Sequence, residues 1–423
     1  MTRVRARQPA GRGLGLLWVT AGFLPWCLYG CDPPDRPADE VRPGIEVLAT
    51  DSVHLLRDLR VGLITNHTGV ARDGTPAARL LLDAGVRVEV LLSPEHGLSG
   101  TVAGGRSVPD RTDPVTGLPV QSLYGSRRMP EDHLLEGVDV LVFDLQDIGA
   151  RYYTYASTML EAMRAAAAKN IAFVVADRPN PIGGELVQGN VLDARFVSFV
   201  GPHTLAMRHG MTVGELARMF NRELDLDLRL IVIPATGWKR SQWSDATGIP
   251  WIPTSPNIPD LESATHYPGT CLFEGTNLSV GRGTEQPFQQ IGAPWLELAE
   301  AGEIVERLAG SGLSGVRLDV VSFTPDAPDD GKYAGAAVVG VRLTVTDRKR
   351  YDPVHTAVWL LREMRRLAGD RWEWNPDAFD RLAGTDRLRL AIEDGDPAEE
   401  IIAAWRGSLA AFRARRSAYL LYP

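Results

Sequence analysis

From residue 61 to residue 233, short and nearly continuous apolar runs alternate with stretches of helical spacing, and that alternation constrains the fold more than any other feature. The runs are Val61 to Ile64, Val86 to Leu92, Val138 to Phe143, Ile171 to Ala176 and Arg229 to Ile233. Between them, Pro76 to Ala84, Thr154 to Lys169 and Thr212 to Asn221 place apolar residues at the spacing of an amphipathic helix. Strands that are apolar on both sides need cover on both sides, and parallel neighbours need crossover connections, which these helices supply. The pattern predicts an α/β fold: a Rossmann-like parallel-sheet domain over 44–295. Helical spacing in Leu296 to Ala309 and Pro353 to Ala368, flanking strand-like Val316 to Phe323 and Ala336 to Val345, predicts a smaller α+β domain over 296–423. A long amphipathic helix carrying Trp405, Leu409, Phe412 and Tyr419 is expected to close it.

The first segment has the layout of an export signal. Arg3, Arg5, Arg7 and Arg12 precede an apolar stretch from Leu14 to Tyr29, with no acidic residue before Asp32. Leu28-Tyr29-Gly30-Cys31 resembles a bacterial lipobox, so residues 1–31 are expected to be the leader, with Cys31 lipidated, and 32–43 a tether. The chain is then an exported lipoprotein of the cell envelope or periplasm, held to a membrane through its lipid. A formal charge of −8 argues against a nucleic-acid partner, because phosphate binding needs a large positive surface. Any anionic ligand must meet locally placed Arg or Lys. Three cysteines are too few for a disulfide framework.

In open parallel sheets, ligands bind outside the carboxyl ends of the strands. The loops there are Thr65-Asn66-His67-Thr68-Gly69, Ser93-Pro94-Glu95-His96-Gly97, Asp144-Leu145-Gln146-Asp147-Ile148-Gly149 and Asp177-Arg178-Pro179-Asn180-Pro181. Turn chemistry accounts for Asn, Asp, Gly and Pro, but has no need of Glu95, His96, Gln146 and Arg178 together. No Gly-x-Gly-x-x-Gly opens the first crossover, and no phosphate loop, His-Glu-x-x-His or Gly-x-Ser-x-Gly occurs. Neither a cofactor nor a metal is expected.

Carboxyl chemistry with amide and guanidinium helpers remains. Glu95 lies at a strand end after Leu91 and Leu92, where partial burial favours the protonated acid that departure of a sugar requires. Bonded to backbone amides in its own turn, the same carboxylate would be structural. His96 is placed to orient it. The Gly/Pro-dense segment from Ser255 to Trp295 is expected to be a long binding loop. It offers Glu274 as a second carboxyl group, Asn257 and Asn277 as amide contacts, and Arg282 as a fork for a carboxylate.

The ordered motifs GLITNHTGV (Gly62 to Val70), LLSPEHGLSG (Leu91 to Gly100), TGLPVQSLYG (Thr116 to Gly125), VFDLQDIGARYYTY (Val142 to Tyr155), DRPNPIGG (Asp177 to Gly184), RHGMTVGEL (Arg208 to Leu216) and the SPNIP to GAPW segment (Ser255 to Trp295) resemble the bacterial exo-β-N-acetylmuramidase family. The resemblance runs from about Gly44 to the terminal YLLYP. It implies a two-domain glycoside hydrolase that needs no nucleotide. Its substrates would be muramoyl saccharides derived from peptidoglycan, from whose non-reducing end it removes N-acetylmuramic acid. The family's proposed catalytic glutamate falls on Glu95. Asn66, Asp144, Gln146, Arg151, Tyr152, Asp177, Arg178, Asn180, Asn257, Asn277 and Arg282 then become candidate substrate contacts, and Glu95, His96 and Glu274 the catalytic candidates. Arg282, Arg151 and Arg178 are the cations on offer for the lactyl carboxylate of muramic acid, and Tyr152, Tyr155 and Trp251 the rings for its sugar face. The partner of Glu95 stays open between Glu274, Asp144, Asp147 and the substrate's own acetamido oxygen. An envelope-tethered sugar-binding lipoprotein without catalysis is the alternative.

Overall fold

The computed structural model describes residues 40–423. The leader, Cys31 and most of the tether lie outside the described residues.

The strands are β1 (Arg60–Thr65), β2 (Arg87–Ser93), β3 (Arg111–Thr112), β4 (Pro119–Ser122), β5 (Val140–Asp144), β6 (Ala172–Ala176), β7 (Gln188–Val191), β8 (Ala206–Arg208), β9 (Leu230–Ile233), β10 (Gln290–Ala293), β11 (Val316–Phe323) and β12 (Val338–Val345). Seven of them form the larger sheet in the order β3-β4-β2-β1-β5-β6-β9. All its neighbours run parallel except the β3–β4 edge. The five expected strands are present, with Ile64 in register with Leu92 on one side and Phe143 on the other. Strand order reverses direction at β1, the kind of switch point where open α/β sheets hold ligands.

The helices are α1 (Gly44–Thr50), α2 (Ala77–Asp83), α3 (Asp132–Leu135), α4 (Tyr155–Ala168), α5 (Val213–Glu223), α6 (Leu261–Thr270), α7 (Leu298–Ala309), α8 (Pro353–Ala368), α9 (Pro376–Ala383), α10 (Arg387–Glu393), α11 (Ala398–Ala403) and α12 (Arg406–Arg416). α1 and α2 cover the sheet face that carries Val61, Leu63, Val88, Val140 and Val142. α4 and α5 cover the opposite face, with Ile64, Leu92, Phe143, Phe173 and Val175. This two-sided burial, worth about 1.5 to 3 kcal/mol for each large aliphatic side chain, is why the strands are apolar throughout.

The second apolar layer continues into the C-terminal half, where Leu360, Leu361 and Met364 of α8 belong to the same cluster. There β10, β12 and β11 form an antiparallel sheet in that order. β10 comes from before residue 296, so the expected boundary falls just after a strand of the small sheet. Gly269 of α6 lies against α8, where a β-carbon would stand 1.9 Å from the Pro353 carbonyl oxygen.

Three expectations need correction. The Ser255 to Trp295 segment is not one loop, since it holds α6 and β10. Pro268 and Gly269 disguise the helix, whose start is capped by Asp260 accepting from the Ser263 N–H at 2.7 Å. The closing helix is broken: α12 starts after Trp405, and Tyr419 lies in a following 3₁₀ turn. The folded body begins earlier than Gly44, because Val41 packs with Ala235, Trp238 and Tyr422, and Arg42 pairs with Thr236. β4 carries no strand signal in the sequence, because its four residues include a proline and a glutamine.

Candidate active site

β2 delivers Glu95 to the carboxyl edge of the sheet. The next residue, His96, has φ of 68°, a left-handed conformation costly for a residue with a β-carbon, and its ring Nδ1 meets the Val102 carbonyl at 2.7 Å. The chain is thereby folded back over the carboxyl group. Gly105 N–H donates to Glu95 Oε1 at 2.9 Å, and the hydroxyl of Thr154, at the start of α4, donates to Oε2 at 2.7 Å. Glu95 is 8% exposed, held from two sides. Beyond β4, the Tyr124 phenol is pushed above its ordinary pKa, by burial first and then by the negative charge of Glu95.

A second carboxylate approaches from the loop between β11 and β12. Gly104 N–H donates to Asp329 Oδ2 at 3.4 Å. A β-carbon built on Gly104 would stand 3.8 Å from Glu95 Oε1 and 3.7 Å from Asp329 Oδ2, so both carboxyl groups border the same small space. Asn257 donates to Asp329 Oδ2 at 2.9 Å, and Arg282 NH1 reaches both its oxygens at 3.0 and 3.1 Å. Arg282 Nε also donates to Glu274 Oε1 at 2.7 Å. Burial opposes the Arg282 charge, yet Glu274 and Asp329 together raise its pKa above the ordinary arginine value. Glu95, His96, Asn257, Glu274 and Arg282 are thus brought together, around an aspartate that the sequence did not single out. Asp329 sits in a plain turn sequence, Pro328-Asp329-Asp330-Gly331, and nothing local marks it.

Other candidates are engaged elsewhere. Arg151 is 1% exposed and donates to the carbonyls of Asn190, Leu205, Leu382 and Ala383, so it is a strap between the two halves rather than a carboxylate fork. Arg178 is buried in a two-bond pair with Asp144, at 2.6 and 2.8 Å, and donates to the Val70 carbonyl. Arg282 is already held by two carboxylates, which corrects its expected role as a fork. Tyr152 and Tyr155 are core side chains whose hydroxyls donate to the Pro268 and Thr254 carbonyls. Asp177 accepts from Thr212, Gly214 and the Tyr422 hydroxyl of the terminal YLLYP, and burial raises its pKa to about 6 despite those donors. Asn180 donates to the Met211 carbonyl, Asn66 to the Tyr155 hydroxyl, and Asn277 to the Arg371 carbonyl. Gln146 binds the Asp147 and Pro179 carbonyls and lines a small hollow with Arg178 and the half-buried Trp251. Lys332 donates to the carbonyls of Glu274, Thr276 and Leu278, pinning the loop that carries Glu274. Among the described residues, no group of three or more His, Cys, Asp and Glu side chains is arranged to hold a metal ion.

Asp147 and His209 face each other in the interior, Oδ2 to Nε2 at 3.8 Å. Burial raises the aspartic acid to about 7, against the pull of the Gly149 N–H, and lowers the histidine to about 3, helped by Arg416, Arg151, Arg240 and Arg208. The raised acid stabilises the fold fully at low pH, and that contribution is lost as pH rises from about 4 towards 7. The depressed histidine stabilises above its ordinary value near 6.5, and loses this as pH falls towards about 3. Their slopes oppose each other between about pH 4 and 6.5. Urea titrations should therefore show that Asp147→Asn gains on the wild type by about 1.4 kcal/mol for each pH unit raised through that window, while His209→Gln loses by a similar amount. Parallel curves for wild type and both variants would contradict this.

The fold and site are those of an α/β protein with a carboxyl group, Glu95, fixed by backbone and hydroxyl donors at the carboxyl edge of its parallel sheet and faced by Asp329 from the loop between β11 and β12. Models of the exo-β-N-acetylmuramidase NamZ N-terminal and C-terminal domains match residues 61–262 and 265–422. The peptidoglycan β-N-acetylmuramidase NamZ of Bacillus subtilis (strain 168) is 40% identical over 385 residues, which is 90% of this chain and 92% of the relative. Two crystal structures of DUF1343 family proteins from Bacteroides fragilis NCTC 9343 superpose with TM-scores of 0.84 and 0.73 at 35% and 32% identity. They cover 92% and 90% of this chain and 100% and 99% of their own. The chain belongs to the NamZ exo-β-N-acetylmuramidase family and is a glycoside hydrolase.

Proposed function

We propose that the protein removes N-acetylmuramic acid from the non-reducing end of peptidoglycan fragments, with Glu95 as general acid and Asp329 as its carboxylate partner. The observation that carries this reading is the fixed, nearly buried Glu95 carboxyl at the end of β2. Its Oε1 can only accept from the Gly105 N–H, whereas the Oε2 contact with the Thr154 hydroxyl can run in either direction. Oε2 is therefore the oxygen suited to carry a proton to the departing sugar oxygen. Asp329, whose oxygens accept from Arg282 and Asn257, is held in place to act on water or on the sugar carbon. Glu274 is a poorer partner, since it lies on the far side of Arg282 from Asp329.

A defined muramoyl–N-acetylglucosamine disaccharide tests this. Wild type should release both free sugars, and Asp329→Asn should lower kcat by about 10²-fold or more with little change in KM. Tight binding without release would favour the non-catalytic, sugar-binding alternative. The export layout and Cys31 support location in the envelope as a lipoprotein, and fatty-acid labelling that persists in Cys31→Ser would refute the anchor.

A further inference from the structure

With Arg151, Arg178 and Arg282 all engaged by protein groups, the carboxylate of a muramic acid residue needs another cation. We infer that Arg128 receives the lactyl carboxylate and sets the preference for muramic acid over N-acetylglucosamine, an inference that rests on the muramidase reading above.

Arg128 is exposed, and its guanidinium carbon stands 4.6 Å from the centre of the Phe199 ring. Phe199 lies 6.0 Å from Tyr124, the phenol that borders Glu95. The shelf is tied to α4 as well: Ser157 donates to the Phe199 carbonyl at 2.6 Å, one turn from the Thr154 that holds Glu95. Arg128 is close enough to Tyr124 for its positive charge to act on the phenol, so cation, ring and acid share one side of the site. Its neighbour Arg127 is tied to Asp110 by contacts of 2.7 and 2.8 Å, whereas among the described residues no carboxylate pairs with Arg128. Stacking over Phe199 orients the planar fork without using its in-plane donors, which leaves them for two parallel bonds to a carboxylate. Tyr124 and Phe199 then offer ring surface to the sugar beside it. Arg106 is also exposed and follows Gly105, but among the described residues no ring or carboxylate orients it, which makes it the matched control.

The test compares two disaccharides, one with the free lactyl carboxylate and one with it converted to the amide. Arg128→Ala should raise KM for the acid about 10- to 100-fold with kcat little changed, while leaving KM for the amide as in the wild type. Arg128→Lys should fall between, and Arg106→Ala should match the wild type. An unchanged KM in Arg128→Ala, or equal losses on acid and amide, would overturn the inference. A wild type that cleaves neither disaccharide would instead count against the muramidase reading. Calorimetry with N-acetylmuramic acid and N-acetylglucosamine then decides the Arg128 question alone: a preference of wild type for the acid that Arg128→Ala abolishes supports it, and a preference absent or retained refutes it.

Discussion

Replacing Glu95 with glutamine is expected to slow hydrolysis of a muramoyl disaccharide by about 10²- to 10⁴-fold, the range that a positioned proton donor contributes. The fold should be untouched. Glutamine has the same shape, its amide oxygen can accept from the Gly105 N–H, and its NH₂ can donate to a lone pair of Thr154 Oγ1, so neither contact is left open. An unchanged thermal midpoint beside the lost rate separates chemistry from stability. The leaving group separates the chemical roles. An aryl muramide with an acidic phenol departs without a proton, so a variant lacking only the acid should cleave it at a much smaller loss than the disaccharide. Equal losses on both substrates would assign Glu95 to attack on the sugar carbon and move the proton-donor role to another group.

The fold was legible because its signal is local and repeated. Each apolar run needs only its own residues to announce a strand buried on both faces, and five such runs with three helical stretches between them leave one architecture. The strand-end rule likewise placed Glu95 at the carboxyl edge of the sheet, since the position of a loop follows from the strand before it. It could not say which side chains in those loops face the substrate. Arg151 looks like a carboxylate fork until the carbonyls of Leu382 and Ala383, more than 200 residues later, are seen to occupy it. Tyr152 and Tyr155 look like sugar platforms until α6 and the Thr254 loop close over them. Asp329 is the opposite case: unmarked in sequence, it becomes a site residue only because the loop between β11 and β12 reaches Gly104. Tyr124 and Phe199 form a shelf although 75 positions separate them in the chain. What sequence reading missed is in each case a side-chain direction set by a distant neighbour.

Asp144→Ala should cost about 3 to 5 kcal/mol of stability, measured as a fall in the urea midpoint at constant slope. Asp144 is fully buried and Arg178 is 3% exposed, so deletion of the carboxylate leaves a guanidinium that can neither reach water nor lose its proton. Only the Val70 carbonyl would remain to it. The pair joins the ends of β5 and β6 at the carboxyl edge of the sheet that also carries Glu95, so the same experiment tests whether these residues serve the substrate, as their strand-end positions first suggest. Replacing both at once, Asp144→Leu with Arg178→Met, removes the two charges together and exchanges them for apolar side chains of similar length. Such exchanges leave stability nearly unchanged or raise it, because neither ion then has to be desolvated. If the pair is only a strap, the double variant should recover most of the stability lost in Asp144→Ala and retain muramidase activity. A double variant that is stable yet inactive would show that one of the two charges acts on the substrate, and Arg178 would then contest the assignment of the lactyl carboxylate to Arg128.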